Sequence, residues 1–262
     1  MNLKVNTRFE ELCLVITVQT LLPAKIRIKV YDHEKPKTVF TDRFKTVKGT
    51  EKFYVRMPLT SNNVVISVYN EANGNRRTNE DSSFSVTSVD KIPLEKRTDA
   101  SDLKNVLVRN FVDFAQRFSF NASYLEANQA YQSQDGTFLI ELEDTLFSDR
   151  TGKELTTPAR ISKVNGRIQI SKKLFNDYTV PMRMAILLHE FSHFYLNENM
   201  DDEMEADLNG LLIYLSLGYP RIEGYEAFLE VFMDAPSEQN KQRYDIINKF
   251  IRDFEAKKII IE

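Results

Sequence analysis

Two of the three histidines in the chain lie four residues apart, in the run His189-Glu190-Phe191-Ser192-His193. On a helix, residues at this spacing lie one turn apart on the same face, so both imidazoles can bind one Zn²⁺ ion. Glu190, directly after the first histidine, can hold a water on that ion and take its proton. The residue types and their spacing therefore predict a hydrolytic zinc site.

The residues around this run predict a helix. Pro181 suits the first turn, where its missing N–H costs nothing, and residues 182–195 contain neither glycine nor proline. A buried helix with two hydrogen-bonded histidines is the alternative interpretation, but a same-face pair with a glutamate after the first histidine favours a metal site. Apolar residues at three- and four-residue intervals predict one core-facing stripe beside the histidines, namely Met184, Leu187, Leu188, Phe191 and Tyr195.

A catalytic zinc site needs a third protein ligand and one open position. The remaining histidine, His33, is far upstream, so we expect the third ligand to be a carboxylate. The acidic segment 201–210 opens a second helical pattern after a short turn, which predicts an antiparallel helix hairpin. In that hairpin Glu203 can reach the metal, while Asp207, one turn further on, accepts the ring N–H of a liganding histidine. Gly210 continues the same face and allows a close approach of the two backbones.

Alternatives stay open for this acidic segment. Glu205, with Asn209 one turn further on, is a rival ligand pair. Acidic residues are also favoured at helix N-termini, and Asp201 and Asp202 suit capping of the second helix. The same signal could therefore be no more than a capped, solvated helix start.

The combination His189-Glu190-x-x-His193 followed by Glu203-x-x-x-Asp207 resembles the gluzincin group of zinc metallopeptidases, over roughly residues 100–260 and most sharply over 181–218. The resemblance implies that His189, His193 and Glu203 bind zinc, that Glu190 is the general base and that Asp207 supports a histidine. It also implies a sheet that precedes the first motif helix, with an edge strand that binds extended substrate.

Two features depart from the gluzincin group. The interval between His193 and Glu203 is short, which leaves Glu205 open as the third ligand. No histidine follows in the chain to stabilise the oxyanion, so another residue would have to serve. The candidates are Tyr214, Tyr219, Tyr225, Tyr244 and Arg221.

Length and composition favour two domains and indicate neither a nucleic acid nor a membrane as partner. The chain has 262 residues, 28% of them charged, and a net charge of −3, so no broad basic surface is expected. The single Cys13 forbids an internal disulfide and fits a reducing compartment. No apolar run could span a membrane and no signal-peptide pattern opens the chain, so we expect a soluble protein, cytoplasmic or within a particle assembled there.

Residues 1–96 are predicted to form an all-β domain. Residues 25–30 alternate between charged and apolar side chains, which is the pattern of a half-buried strand. Six or seven short strands at this spacing suggest an immunoglobulin-like β-sandwich, which we expect to serve in docking or as a spacer. His33 is interpreted as a solvated loop residue. Similar runs occur at residues 12–20, 38–47, 52–59, 64–70 and 83–89, with turn-like segments such as Asn73-Gly74-Asn75 between them.

Residues 97–262 are predicted to form the second domain, a small zincin-like unit of a short sheet and helices, after a polar junction at residues 95–100. Asn165-Gly166 between two alternating runs predicts a β-hairpin, whose second strand, residues 167–171, is the expected substrate edge. Helices are predicted around a core-facing row of Leu107, Phe111, Phe114 and Phe118 and at residues 223–233 and 237–254, and Ile259-Ile260-Ile261 is expected to dock on a core or a partner.

These predictions describe a two-domain α+β protein that acts as a zinc metalloendopeptidase on polypeptide substrates, with a protein partner at its N-terminal domain. A function of a different class also fits the chain. The protein could be a structural or assembly component of a virion or other large complex, built on a peptidase-like fold and docked through the β-domain. Hydrolysis of peptidoglycan or of small peptides would use the same chemistry.

Overall fold

The structure is a computed structural model that describes residues 1–73, 81–97, 101–234 and 237–256. The chain forms two compact units, Met1–Glu95 and Lys96–Glu262. The predicted turn at residues 73–75, the junction at 95–100 and the apolar end at 259–261 lie wholly or partly outside the described residues. Within the described residues, no helix combines the length and the apolar character needed to cross a membrane.

The first unit is an antiparallel sheet. Strand β2 pairs with β3 along most of its length, with β5 over Leu12–Thr20 and with β4 over Ile26–Asp32, and β1 pairs with β4. A bulge between Thr20 and Ala24 separates the two halves of β2. The strands are β1 (Asn2–Asn6), β2 (Leu12–Asp32), β3 (Val39–Met57), β4 (Asn63–Asn70) and β5 (Phe84–Pro93).

The prediction of six or seven short strands was wrong, because two pairs of predicted strands are continuous. The runs at 12–20 and 25–30 both belong to β2, which has 21 residues, and the runs at 38–47 and 52–59 belong to β3, which has 19. A β-bulge bends a strand without ending it, and proline is tolerated at such a place. Leu21-Leu22-Pro23, between the two predicted runs, therefore lies within one strand.

The second unit combines a four-stranded sheet with helices, so the chain is a mixed α+β protein. The strands are β6 (Gln129–Gln132), β7 (Leu139–Glu143), β8 (Ala159–Ile161) and β9 (Ile168–Ser171). The helices are α1 (Ser101–Lys104), α2 (Val106–Asn121), α3 (Lys172–Phe175), α4 (Val180–Tyr195), α5 (Glu203–Ser216), α6 (Arg221–Asp234) and α7 (Glu238–Glu255), with a short 3₁₀ turn at Ala122–Tyr124. The two predicted C-terminal helices are confirmed as α6 and α7.

The strand order is β6-β7-β9-β8, with β9 parallel to β7 and antiparallel to β8. The predicted hairpin around Gly166 is confirmed, and Gly166 has a φ of 68° in its turn. The expectation that residues 167–171 form the free edge was wrong, because β9 is paired on both sides. The edge strand on this side is β8, which packs beside α4.

Helix α4 lies at the centre of the second unit. Helices α2, α5 and α6 and strand β8 all pack against it, and every residue from Val180 to Leu188 is buried. This first part of the helix is therefore buried on all sides, whereas the sequence predicted a single buried stripe. The Phe111 ring of α2 stacks on Phe191 with the centroids 4.2 Å apart, and the predicted row of phenylalanines on α2 is confirmed as core.

A fully buried arginine ties α4 to its surroundings. Arg183 donates from Nε to the carbonyl oxygen of Phe175 at 2.9 Å and from Nη1 to that of Ser119 at 2.9 Å. Its Nη2 donates to Ser123 Oγ at 2.6 Å. Burial lowers the pKa of the Arg183 guanidinium to about 10. Because these acceptors belong to α2, the 3₁₀ turn and α3, this side chain fixes the start of the helix that carries both motif histidines.

Candidate metal centre

The two helices of the predicted hairpin begin at well-formed caps. Thr179 Oγ1 accepts the N–H of Met182, with Pro181 in the first turn of α4. Asp202 Oδ1 accepts the N–H groups of Met204 at 2.9 Å and Glu205 at 3.0 Å, so Asp202 is the N-cap of α5, as the sequence predicted. These caps place the candidate metal ligands in the last two turns of α4 and the first turn of α5.

Gly210 lets the two helices approach closely. A Cβ atom at this position would lie 2.9 Å from the backbone nitrogen of His189 and 3.0 Å from the carbonyl carbon of Leu188. These contacts are with backbone, which cannot move aside as a flexible side chain can. The predicted close approach at Gly210 is confirmed, and it occurs at the first motif histidine.

The side chains of His189, His193 and Glu203 converge on one point. The Nε2 atoms of the two histidines are 3.1 Å apart. Glu203 places Oε2 3.6 Å from His189 Nε2 and Oε1 3.5 Å from His193 Nε2. Neighbouring donor atoms in a tetrahedral Zn²⁺ site with bonds of about 2.0–2.1 Å are about 3.3 Å apart. The three groups could therefore hold a metal ion without rearrangement of the backbone.

Each histidine ring has a polar partner at Nδ1, the ring nitrogen that does not face the other histidine. His193 Nδ1 lies 3.0 Å from the carbonyl oxygen of Met200, and His189 Nδ1 lies 2.9 Å from Asp207 Oδ1. A carbonyl or carboxylate at Nδ1 favours the tautomer that carries its proton there and leaves the Nε2 lone pair for a metal. The sequence predicted the place of Asp207. It did not predict the contact with Met200, which depends on the path of the turn between the helices.

The alternative ligand pair points elsewhere. Glu205 Oε1 accepts the backbone N–H of Glu198 at 3.0 Å, and Asn209 Nδ2 donates to Asn197 Oδ1 at 3.1 Å. Neither side chain belongs to the group that could hold a metal. Asp201, the second predicted cap, pairs with Lys163.

Arg243 of α7 was missed by the sequence analysis. Its Nε and Nη2 donate to the two carboxylate oxygens of Asp207 at 2.7 and 2.9 Å, and Nη2 also lies 3.2 Å from Glu203 Oε2. Asp207 has no exposed surface, so this bidentate pair balances a buried negative charge. Arg243 lies far from the motif in sequence, and the pattern of α7 does not say which carboxylate it meets.

The charges of the cluster shift its pKa values. Burial lowers the pKa of His189, but the adjacent carboxylates of Asp207 and Glu203 outweigh burial and raise it to about 10. Hydrogen bonds from His189 and His193 hold the pKa of the Glu203 carboxyl well below its usual range. Burial raises the pKa of the Glu190 carboxyl. The cluster is therefore an arrangement in which protons and a metal cation compete for the same donor atoms.

The cluster opens into a pocket of about 240 Å³. Glu190 lines this pocket together with His189, His193 and Glu203, the three candidate metal ligands. Strand β8 and its flanking residues form one wall, and Ala227 and Phe228 of α6 form part of another. A molecule bound in the pocket would therefore lie beside both Glu190 and the candidate ligands.

The predicted candidates for stabilising the oxyanion do not line this pocket. Tyr214 and Tyr219 are buried and stacked on each other at 4.9 Å, and Tyr214 donates to the carbonyl oxygen of Pro220. Tyr225 and Tyr244 pack together elsewhere, and Arg221 pairs with Glu255. The cations that do line the pocket are Arg160, Lys163 and Arg243.

Comparison of the chain with protein-family models, with curated proteins and with solved structures found no match. The geometry of the cluster and its pocket therefore carries the functional argument.

Proposed function

We propose that the chain is a zinc-dependent metallopeptidase of the gluzincin type, with His189, His193 and Glu203 as metal ligands. The observation that carries the proposal is the convergence of these three side chains, with Glu190, on one open pocket. Two imidazoles and one carboxylate form the ligand set of several catalytic zinc sites, in which a fourth position stays open. The distances between donor atoms support Zn²⁺, and the contacts of Asp207 and Met200 supply the outer support that such ligands need.

The residues of the chain have distinct roles in the proposed reaction. When bound, Zn²⁺ supplies a Lewis acid that acidifies water and polarises a carbonyl group. Glu190 takes the proton of the attacking water and returns it to the departing amine. Asp207 and the carbonyl group of Met200 keep the imidazoles oriented, and Arg243 holds Asp207 in place.

We propose β8 as the strand along which an extended peptide binds. It is an edge of the sheet, it packs beside α4, and its residues Ala159–Ile161 line the pocket that contains Glu190. A peptide can add to such an edge by main-chain hydrogen bonds. Its carbonyl groups would then lie beside the wall of the pocket that β8 forms. This assignment replaces the strand that the sequence suggested.

The domain roles are proposals of the same kind. We propose that Lys96–Glu262 is a zincin-like peptidase unit and that Met1–Glu95 is an immunoglobulin-like sandwich. The bulge at which β2 changes its partner from β5 to β4 supports the second assignment, since strands that switch between sheets do so at bulges or bends. A docking or spacing role suits the β-unit.

Metal analysis and a peptide-library cleavage assay test the proposal together. We expect purified protein to contain one zinc ion and to cleave peptides. Glu190→Gln should keep the zinc but lower turnover by about 10²–10⁴-fold, because it removes the proton acceptor and leaves the ligands in place. His189→Ala should lose the metal.

The control for the loss of a carboxylate is Glu154→Gln, which changes a partly exposed residue outside the pocket and should leave turnover unchanged. Full activity of Glu190→Gln would overturn the assignment of the general base. Bound zinc without cleavage of any peptide would instead support the alternative role as a structural or assembly component.

A further inference from the structure

The pocket beside the metal cluster differs in polarity between its two ends. Pro158, directly before β8, and Ile186, one turn before His189 on α4, line one end of the pocket. Lys163, two residues beyond the end of β8, lines the other end. Its ammonium group pairs with Asp201, in the turn that follows α4. A peptide that crosses the cluster along β8 would therefore pass from an apolar region to a basic one.

Among the described residues, the charged ones that line the pocket, apart from Glu190 and Glu203, are all basic. Arg243 is held by Asp207, which is buried. Arg160 donates from Nε to Gln169 at 2.7 Å and from Nη1 to the carbonyl oxygen of Phe147 at 3.2 Å. Gln169 is the register partner of Arg160 in β9, so this guanidinium is bound across the outer face of the sheet. Arg160 also pairs with Asp149, an exposed carboxylate, at 3.3 Å. Arg243 is therefore held by a buried carboxylate, and Arg160 is held on the sheet by two neutral partners in addition to one exposed ion pair.

Lys163 differs from these two cations. Its partner Asp201 is 77% exposed and the Lys163 side chain is 47% exposed, so the pair lies at the surface. Exposed ion pairs of this kind contribute little to stability, because water solvates both charges well. A substrate carboxylate in the pocket can therefore replace Asp201 as the partner of Lys163 with little loss of free energy.

The backbone that carries Lys163 is held firmly. The turn between β8 and β9 contains Gly166, where a Cβ atom would lie 2.8 Å from Tyr195 Oη and 2.9 Å from the Phe194 ring. Ser162 also donates its N–H to the carbonyl oxygen of Arg167 at 2.8 Å. Lys163 therefore projects from a packed turn. A carboxylate that binds its ammonium group restricts the lysine side chain but not the backbone, so the entropic cost of binding is small.

We propose that Lys163 selects peptides with an acidic side chain at this end of the pocket, by exchanging Asp201 for a carboxylate of the substrate. The inference rests on the proposed peptidase function and adds a substrate class to it. A divalent ion bound by the cluster would add positive charge to the pocket that Lys163 lines, and this favours a negative charge on the substrate.

The test compares zinc-loaded variants on a library of blocked peptides in which Glu, Gln and Lys replace one another at each position around the cleaved bond. At one position we expect the unaltered protein to prefer Glu over Gln by about fivefold in kcat/KM. Lys163→Gln should remove that preference. Asp201→Asn should increase it, because the competing carboxylate is gone. Lys173→Gln removes the lysine of another surface ion pair, with Glu154 and outside the pocket, and should leave the preference unchanged.

Binding of the same peptides to zinc-loaded Glu190→Gln protein separates this inference from the proposed function. Cleavage or binding without a preference for Glu, or with a preference for Lys, would overturn the role of Lys163. Binding that prefers Glu and depends on Lys163, with no cleavage by the unaltered protein, would support the acidic-peptide site and contradict the hydrolase. Absence of both binding and cleavage would overturn both.

Discussion

Glu203 and Glu205 lie two residues apart at the start of α5, and their side chains leave the helix in different directions. Glu203 meets His189 and His193, whereas Glu205 accepts the backbone N–H of Glu198. We expect Glu203→Gln to weaken zinc binding by more than about a hundredfold, because it removes a ligand whose outer supports alone are worth 10–100-fold. Glu205→Gln is the matched control and should bind zinc as the unaltered protein does. Competition with a chromogenic chelator measures both.

The opposite ranking of these two variants would assign the third ligand to Glu205 and contradict the geometry of the cluster. Equal, small effects would mean that neither carboxylate binds the ion.

The position of Asp207 in the cluster could be predicted from the sequence, whereas that of its partner Arg243 could not. The sequence indicates Asp207 because it lies one turn after Glu203, and a helix fixes that relation locally. The sequence does not indicate Arg243, although its guanidinium makes two hydrogen bonds to the same carboxylate. The partner of a buried charge on another helix is decided by tertiary packing, and residue spacing holds no information about it.

At the scale of the elements, the predicted helix hairpin depends on Gly210. Alanine is normally favoured over glycine in a helix by about 1 kcal/mol, so Gly210→Ala would stabilise an isolated α5. Here the added Cβ meets the backbone of α4 at Leu188 and His189. Overpacking of this kind typically costs about 1–3 kcal/mol. We therefore expect a net loss of stability in urea unfolding and weaker zinc binding, since α5 carries Glu203 and must shift. Unchanged zinc affinity with increased stability would show that the helices can separate freely at this point.

The start of α4 depends on Arg183 in a comparable way. Arg183→Met keeps much of the side-chain volume but removes the buried donor of the Ser119 carbonyl oxygen and of the Ser123 hydroxyl, whereas the Phe175 carbonyl oxygen keeps the N–H of Tyr178. Each unsatisfied buried group costs about 1–3 kcal/mol, partly offset by removal of a desolvated charge, so we expect a net loss of about 2–4 kcal/mol in urea unfolding. The control is Arg117→Met on α2, which removes an exposed ion pair with Asp113 and should change stability by less than about 0.5 kcal/mol. Equal stability of the two variants would contradict this role.

The strands were predicted less well than the helices, for identifiable reasons. The spacing of apolar residues in α4 and α5 and the residues that cap these helices are local features of the sequence. The sequence therefore predicts both helices closely. By contrast, β7 could pair with either strand of the hairpin around Gly166, and its choice of β9 leaves β8 as the edge. In the first unit, alternation continues on both sides of Leu21-Leu22-Pro23, so the sequence shows strands there but not that a bulge joins them. Strand pairing is a long-range choice, which single-sequence patterns do not contain.

For the whole molecule, the site residues all belong to the unit Lys96–Glu262, whereas Met1–Glu95 contributes a sheet with its own buried apolar residues. A ligand that binds the native state stabilises it by about 4 kcal/mol when its concentration is a thousand times Kd. Zinc should therefore stabilise the elements that meet at the cluster. The expected sites of this effect are α4, α5 and the part of α7 around Arg243.

Hydrogen exchange with and without zinc measures this effect along the chain. We expect zinc to slow exchange in α4 and α5, by up to about a thousandfold at saturating concentration, and to leave β2 and β3 unchanged. Glu203→Gln protein is the control, because the same zinc addition should then have no effect if the ion acts through the cluster. Slower exchange in β2 and β3 as well would mean that the two units unfold as one cooperative body. Slower exchange in neither unit would mean that the convergence of His189, His193 and Glu203 does not bind zinc.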